Sequence, residues 1–320
     1  MNAPRPTRRA RLVALVWNGE ERRPTAPVRL ILAVVVLFAA LVVAGLVVAL
    51  VVGPAGPPST VVSFAQFVLL TALTFGLAVV VDRRTIADLG LGFDRDWWLD
   101  LGFGLVLGGV LMTAIFVVAL AAGWVRVEGT FTGGSRGFLL GFALLTVQFL
   151  GVGISEELLV RGYLLTNVAE GFAQSVSRGA AAAVAILVSS VLFGVAHLSN
   201  PNATLVSALG ISLAGVLLGL PYLLTDELAI PIGIHISWNL SQGGVYGFAV
   251  SGLGVGANVI DTAETGPDVF TGGAFGPEAG LLGVAAVVLG TGLVVWYVRW
   301  RYGEVRLAPG VFAPELRWRG

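Results

Sequence analysis

Residues 180–197, AAAAVAILVSSVLFGVAH, are apolar along nearly their whole length and end in one of the only two histidines of a 320-residue chain. A hydrocarbon core ~30 Å thick takes roughly 20 apolar residues of helix, so this run reads as a membrane span that carries an ionisable group at its end. Seven further runs of the same kind lie around it, at about 30–52, 61–81, 99–122, 138–160, 205–224, 230–249 and 281–300. The first is longer than a signal-peptide core of ~7 to 15 residues and has no clear small-residue cleavage site, so it reads as a retained helix. Composition agrees: 56% of residues are hydrophobic, 12% are charged and the mean hydropathy is +0.90. Soluble chains carry about a quarter charged residues. The expected fold is all-α, a polytopic transmembrane helical bundle of about eight spans.

The 19 basic residues are all arginine. Seven of them, from Arg5 to Arg29, precede the first span, and Arg299, Arg301, Arg306, Arg317 and Arg319 end or follow the last. Arginine-rich flanks stay cytoplasmic, so both termini are expected inside, as an even span count requires. The chain then divides into a cytoplasmic Arg-rich tail (1–29), a membrane domain (30–302) and a second cytoplasmic tail (303–320). This describes a multi-pass protein of the cell membrane. Arg83, Arg84 and Arg95 fall on the same side as the tails, leaving Arg126 and Arg136 outside. The exterior stretch 250–280 is glycine-rich, holds four acids and no base, and reads as a solvated flexible loop. The segment 85–100, TIADLGLGFDRDWWLD, is amphipathic and is expected to lie along the cytoplasmic interface with Trp97 and Trp98 as anchors. Gly104 with Gly108, and Gly215 with Gly219, have the spacing that lets helices approach closely. No nucleic-acid partner is implied. The absence of cysteine excludes disulfides and thiolate chemistry.

Chemistry is confined to three places. In Ser155-Glu156-Glu157-Leu158-Leu159-Val160-Arg161, Glu157 and Arg161 share a helix face and can pair, whereas Glu156 points about 100° away. Unpaired and partly desolvated, Glu156 suits a general base, though the same three charges could equally form an interfacial network. In Phe193-Gly194-Val195-Ala196-His197, the ring and the histidine share a face, with Phe193 and Trp238 read as packing. In His235-Ile236-Ser237-Trp238-Asn239, His235 and Asn239 face one side, either lining a wet cavity or serving as interhelical glue.

Glu-Glu-xxx-Arg, Phe-xxx-His and His-xxx-Asn, in this order on three spans, resemble the CPBP family of intramembrane proteases. That family includes the type II CAAX prenyl endopeptidases and the Abi-type proteins. The resemblance covers about residues 85–243. It implies a membrane-embedded endopeptidase acting on a protein or peptide, with catalytic roles for Glu156, His197, His235 and Asn239 and a supporting Glu157–Arg161 pair. Nothing in the residues points to a prenylated substrate.

With no serine in an evident triad and no cysteine, the nucleophile is expected to be water. In one route Glu156 takes its proton with His197 positioning it, while His235 and Asn239 stabilise the oxyanion. In the other, Glu156, His197 and His235 hold a divalent metal such as zinc, to which the family analogy inclines. Depth poses a difficulty. Glu156 and His197 both sit ~20–30 Å from the turn near 171–178, but His235 follows the polar turn at Thr225-Asp226-Glu227 by only ~12 Å. Some span must therefore be broken, tilted or re-entrant, and 158–177, too polar for lipid, is the expected one. Two other classes fit the same residues. A transporter would show proton flux dependent on Glu156, and a noncatalytic bacteriocin-immunity or scaffold protein would keep its cellular phenotype after Glu156→Ala.

Overall fold

The computed structural model describes residues 8–52 and 59–318. Arg5 and Arg319, counted above among the tail arginines, lie outside them. In chain order the elements are α1 (Arg8–Val16), the hairpin β1 (Trp17–Asn18) and β2 (Arg23–Pro24), α2 (Ala26–Val52), α3 (Ser59–Gly76), α4 (Arg95–Ala121), β3 (Val125–Thr132), α5 (Phe138–Glu157), α6 (Thr166–Ala173), α7 (Arg178–Ala196), α8 (Leu205–Thr225), α9 (Ala229–Asn239), β4 (Asn258–Glu264), α10 (Asp268–Thr271) and α11 (Leu281–Tyr302). The helix starts are written in the sequence. Asp94 accepts a bond from Trp97 N–H at 2.8 Å, Ser177 caps α7, and Thr204 and Ser207 form a reciprocal capping box on α8.

Among the described residues seven helices are long and apolar enough to cross a membrane, one of them the continuous Phe138–Ala173. The eighth expected span, 230–249, is not one of these. It forms α9, 11 residues long and buried at every position, extended by a π-helical turn, Leu240–Val245. Its apolar residues face protein on all sides. The stretch 158–177, expected to be broken, tilted or re-entrant, is unbroken as far as Ala173: α5 runs into α6 through a π-helical segment, Leu158–Leu165. The polar residues there are satisfied by protein instead. Glu170 accepts bonds from Arg23, Arg29 and Arg84, and Asn167 donates to Asp82 at 2.7 Å.

What resolves the depth problem is the turn between α8 and α9. Leu228 N–H bonds Gly90 O at 2.9 Å, Ala308 N–H bonds Leu223 O at 2.9 Å, and Leu89, Leu228, Val311 and Phe312 are buried around them. The turn is thus recessed beneath the segments that follow α3 and α11, and α9 starts at depth. The segment after α11 is held to the segment after α3 on this face, since Thr85 N–H bonds Glu315 O and Arg317 N–H bonds Arg83 O. Trp97 belongs to this buried layer, not to an interface, and donates from Nε1 to Gly90 O at 3.0 Å; Trp98 is exposed.

Helix α9 lies against α4 at backbone distance. A Cβ on Gly104 would stand 2.5 Å from Ile230 O, and one on Gly233 2.5 Å from Leu101 O. The small-residue pairs thus do the packing expected of them. At the opposite face β3 and β4 pair antiparallel, Val125 facing Glu264. The stretch read as a flexible loop is tied down there: Gly252 N–H bonds Phe275 O at 2.7 Å and Asn200 Nδ2 donates to Ser251 O at 3.0 Å.

Candidate functional site

The last turn of α5 sends two adjacent carboxylates into different surroundings. Glu157 is fully buried, and its Oε1 accepts from Arg161 at 2.8 Å and from His235 Nδ1 at 2.7 Å. Arg161 is equally buried. It also donates to Gly215 O at 3.2 Å, and its guanidinium lies 4.5 Å from the Phe193 ring centre. A carboxylate paired with a guanidinium only accepts, so His235 must carry a proton on Nδ1, and Nε2 is the ring position left without a partner on this side. Glu157 therefore does more than pair with Arg161. It sets the orientation and tautomer of the histidine on α9.

Glu156 faces that free nitrogen. Its Oε2 is buried without a hydrogen-bond partner and stands 4.0 Å from His235 Nε2, while the side chain as a whole is 29% exposed. His197 caps the end of α7 with Nδ1 2.8 Å from Phe193 O; a carbonyl accepts, so here too Nε2 is the open position. Phe193 stands edge-on to both histidines, at ring-centre distances of 4.8 Å to His197 and 6.0 Å to His235.

His197, His235 and Asn239 line one cavity, so the second and third motifs do meet in space. Glu156 is not on its wall and joins the constellation through His235. The histidine beside Glu156 is thus His235, where the sequence reading had assigned His197 to that task. Trp238, expected to be packing alone, lines the same cavity.

Ser251 and Glu278 also line it, and neither was singled out in the sequence. Glu278 comes from the short 3₁₀ turn Pro277–Ala279 and is 6% exposed. Burial pushes its carboxyl up to about 7, against the pull of its hydrogen-bond donors. The only sequence signal was the pair of glycines, Gly276 and Gly280, around Pro277 and this acid, a spacing that also fits an ordinary turn.

As a metal site the expected set does not close. Among the described residues no three His, Asp or Glu side chains are grouped to hold one ion. Glu156 Oε2 and His235 Nε2, 4.0 Å apart, are near enough to share an ion, but His197 is not grouped with them.

Residues 138–241 match the family model described as type II CAAX prenyl endopeptidase Rce1-like. The matched stretch contains Glu156, Glu157, Arg161, His197, His235 and Asn239, the residues on which the CPBP resemblance rests, and ends before Gln242, Ser251 and Glu278. No curated protein and no solved structure matches the chain.

Proposed function

We propose that the chain is an intramembrane endopeptidase that uses water to cleave a peptide bond of a membrane-associated protein or peptide. The observation that carries this reading is the unpartnered Glu156 Oε2 facing His235 Nε2 at 4.0 Å. That separation is one a single water spans with a hydrogen bond of about 2.8 Å to each atom. The water would give its proton to Glu156 and attack the scissile carbonyl carbon. His235, fixed by Glu157, would orient the water's lone pair. The amide of Asn239, one helical turn further along α9, would donate to the developing oxyanion. His197 would accept the backbone N–H of the substrate from the other wall. The proton held on Glu156 would then pass to the departing amine, which completes hydrolysis.

The test is a map of new protein N-termini in membranes that contain either the wild type or Glu156→Gln at equal level. Termini lost only in the variant support proteolysis. Identical maps, under conditions where the protein gives its cellular phenotype, would sink it in favour of a scaffold or immunity role.

A further inference from the structure

We infer that Glu278 is a specificity residue of this cavity, receiving a positively charged group of the substrate, such as a lysine or arginine side chain or a free amine near the scissile bond. The inference rests on the protease reading above and adds a substrate class to it.

Three observations on the chain carry it. First, placement: Glu278 lines the same cavity as His197, His235 and Asn239, although it belongs to a segment far beyond all three motifs. Second, the turn is built to hold it there. A Cβ on Gly210 of α8 would stand 2.0 Å from Glu278 O, and one on Gly283 of α11 2.0 Å from Pro277 O. Gly276 adopts φ +112°, which glycine tolerates, and a Cβ there would meet Ala249 O at 2.3 Å and Glu278 Oε2 at 2.7 Å. Backbone packs on backbone at Gly210, Gly283 and Gly276, the last also lying against the Glu278 carboxylate, and the turn is wedged between two helices with its acid directed inward.

Third, the carboxylate is oriented yet its charge is not balanced. Gln242 Nε2 donates to Oε2 at 2.6 Å, while Ser251 N–H and Oγ donate to Oε1 at 3.1 and 3.2 Å. All of these donors are neutral. The other buried glutamates, Glu157 and Glu170, each face arginine, whereas no ion pair between described residues involves Glu278. A buried anion without a cation is costly, and a cation that enters the cavity relieves the cost. The remaining wall is apolar, with Ile211, Leu218 and Val287 among its residues. An apolar sleeve that ends in a fixed carboxylate suits an alkyl chain tipped with a cation.

The experiment is cleavage of a peptide library in detergent or nanodiscs by purified wild type, Glu278→Gln and Glu278→Asp. Each position near the scissile bond carries either lysine or its uncharged isostere norleucine. Wild type should prefer lysine at one position by roughly 10- to 100-fold in kcat/KM, the worth of a charge-assisted hydrogen bond. Glu278→Gln should abolish that ratio and Glu278→Asp should retain its direction. Wild type that cleaves without preference for a cation at any position overturns the inference, even if neither variant folds. So does an equal fall for both substrates in Glu278→Gln. Absence of any cleavage that Glu156→Gln removes would overturn the protease reading and this inference with it.

Discussion

Replacing Glu157 by glutamine should unfold the protein far more readily than the same change at Glu156, although the two residues are neighbours. Glu157 is completely buried, and its Oε1 holds both the Arg161 guanidinium and His235. Glutamine there keeps one oxygen to accept from Arg161 or His235 but removes the counter-charge, which leaves a fully buried guanidinium with neutral partners only, the Gly215 carbonyl at 3.2 Å and the face of Phe193 among them. Breaking a buried pair by removing one partner costs about 3–5 kcal/mol, against about 5–15 kcal/mol that holds a typical domain together. Glu156 is 29% exposed and its Oε2 accepts no bond. Its replacement should therefore change stability by about 0.5 kcal/mol or less while lowering turnover by about 10²- to 10⁴-fold. The assay is SDS titration of each purified protein in mixed micelles, with cleavage of one peptide measured in parallel. The double variant Glu157→Met with Arg161→Met completes the design. It removes both charges together and should regain most of the lost stability, but no activity. Equal destabilisation by the two glutamines, or wild-type unfolding of Glu157→Gln, would refute the division of labour between these carboxylates.

Gly104→Ala should cost about 1–3 kcal/mol and displace His235, because its Cβ would stand 2.5 Å from Ile230 O; Gly102→Ala on the same helix, with nothing within 4 Å, should be neutral or stabilising. Similar SDS midpoints for the two would contradict the backbone contact between α4 and α9. Burial, with the charge of Asp88 nearby, pushes the Asp226 carboxyl up to about 7. Between about pH 4 and that value the folded protein holds a proton the unfolded chain has released, so stability falls as pH rises through this window. Asp226→Asn, which suits the left-handed φ of +62° at this position, should flatten the profile and exceed wild type at about pH 8. A variant that keeps the wild-type slope would show that another group sets it. Dialysis against 1,10-phenanthroline should leave activity intact, since the donors do not converge on one ion; activity lost and then restored by zinc would reverse that conclusion.

The long spans and the three motifs were legible because hydropathy and helical spacing are properties of a segment taken alone. What a segment packs against is not. The apolar residues of α9 read as lipid-facing, yet a wall of protein asks for the same side chains as a wall of lipid. Only the depth mismatch of His235 hinted at the difference; the run 230–249 is long enough to span, and its division into an 11-residue α-helix and a π-helical turn is set by the packing. The bond from Glu157 to His235 joins residues 78 positions apart, and no local pattern encodes it. Glu170 made its stretch look too polar for a membrane because its arginine partners lie 86, 141 and 147 positions away. The glycines of 250–280 were taken for flexibility. Several of them instead let one backbone approach another, which is how Glu278 reached the cavity unnoticed.

The recessed turn ahead of α9 also bears on biosynthesis. A helix this short, enclosed on every side, offers the insertion machinery little to recognise as a span of its own, and residues that close over its entrance lie beyond α11. While the chain is still emerging from the ribosome, the backbone bond from Ala308 to Leu223 does not yet exist, so the support beneath His235 is incomplete. The floor of the site would thus be completed only after the segment beyond α11 has been made.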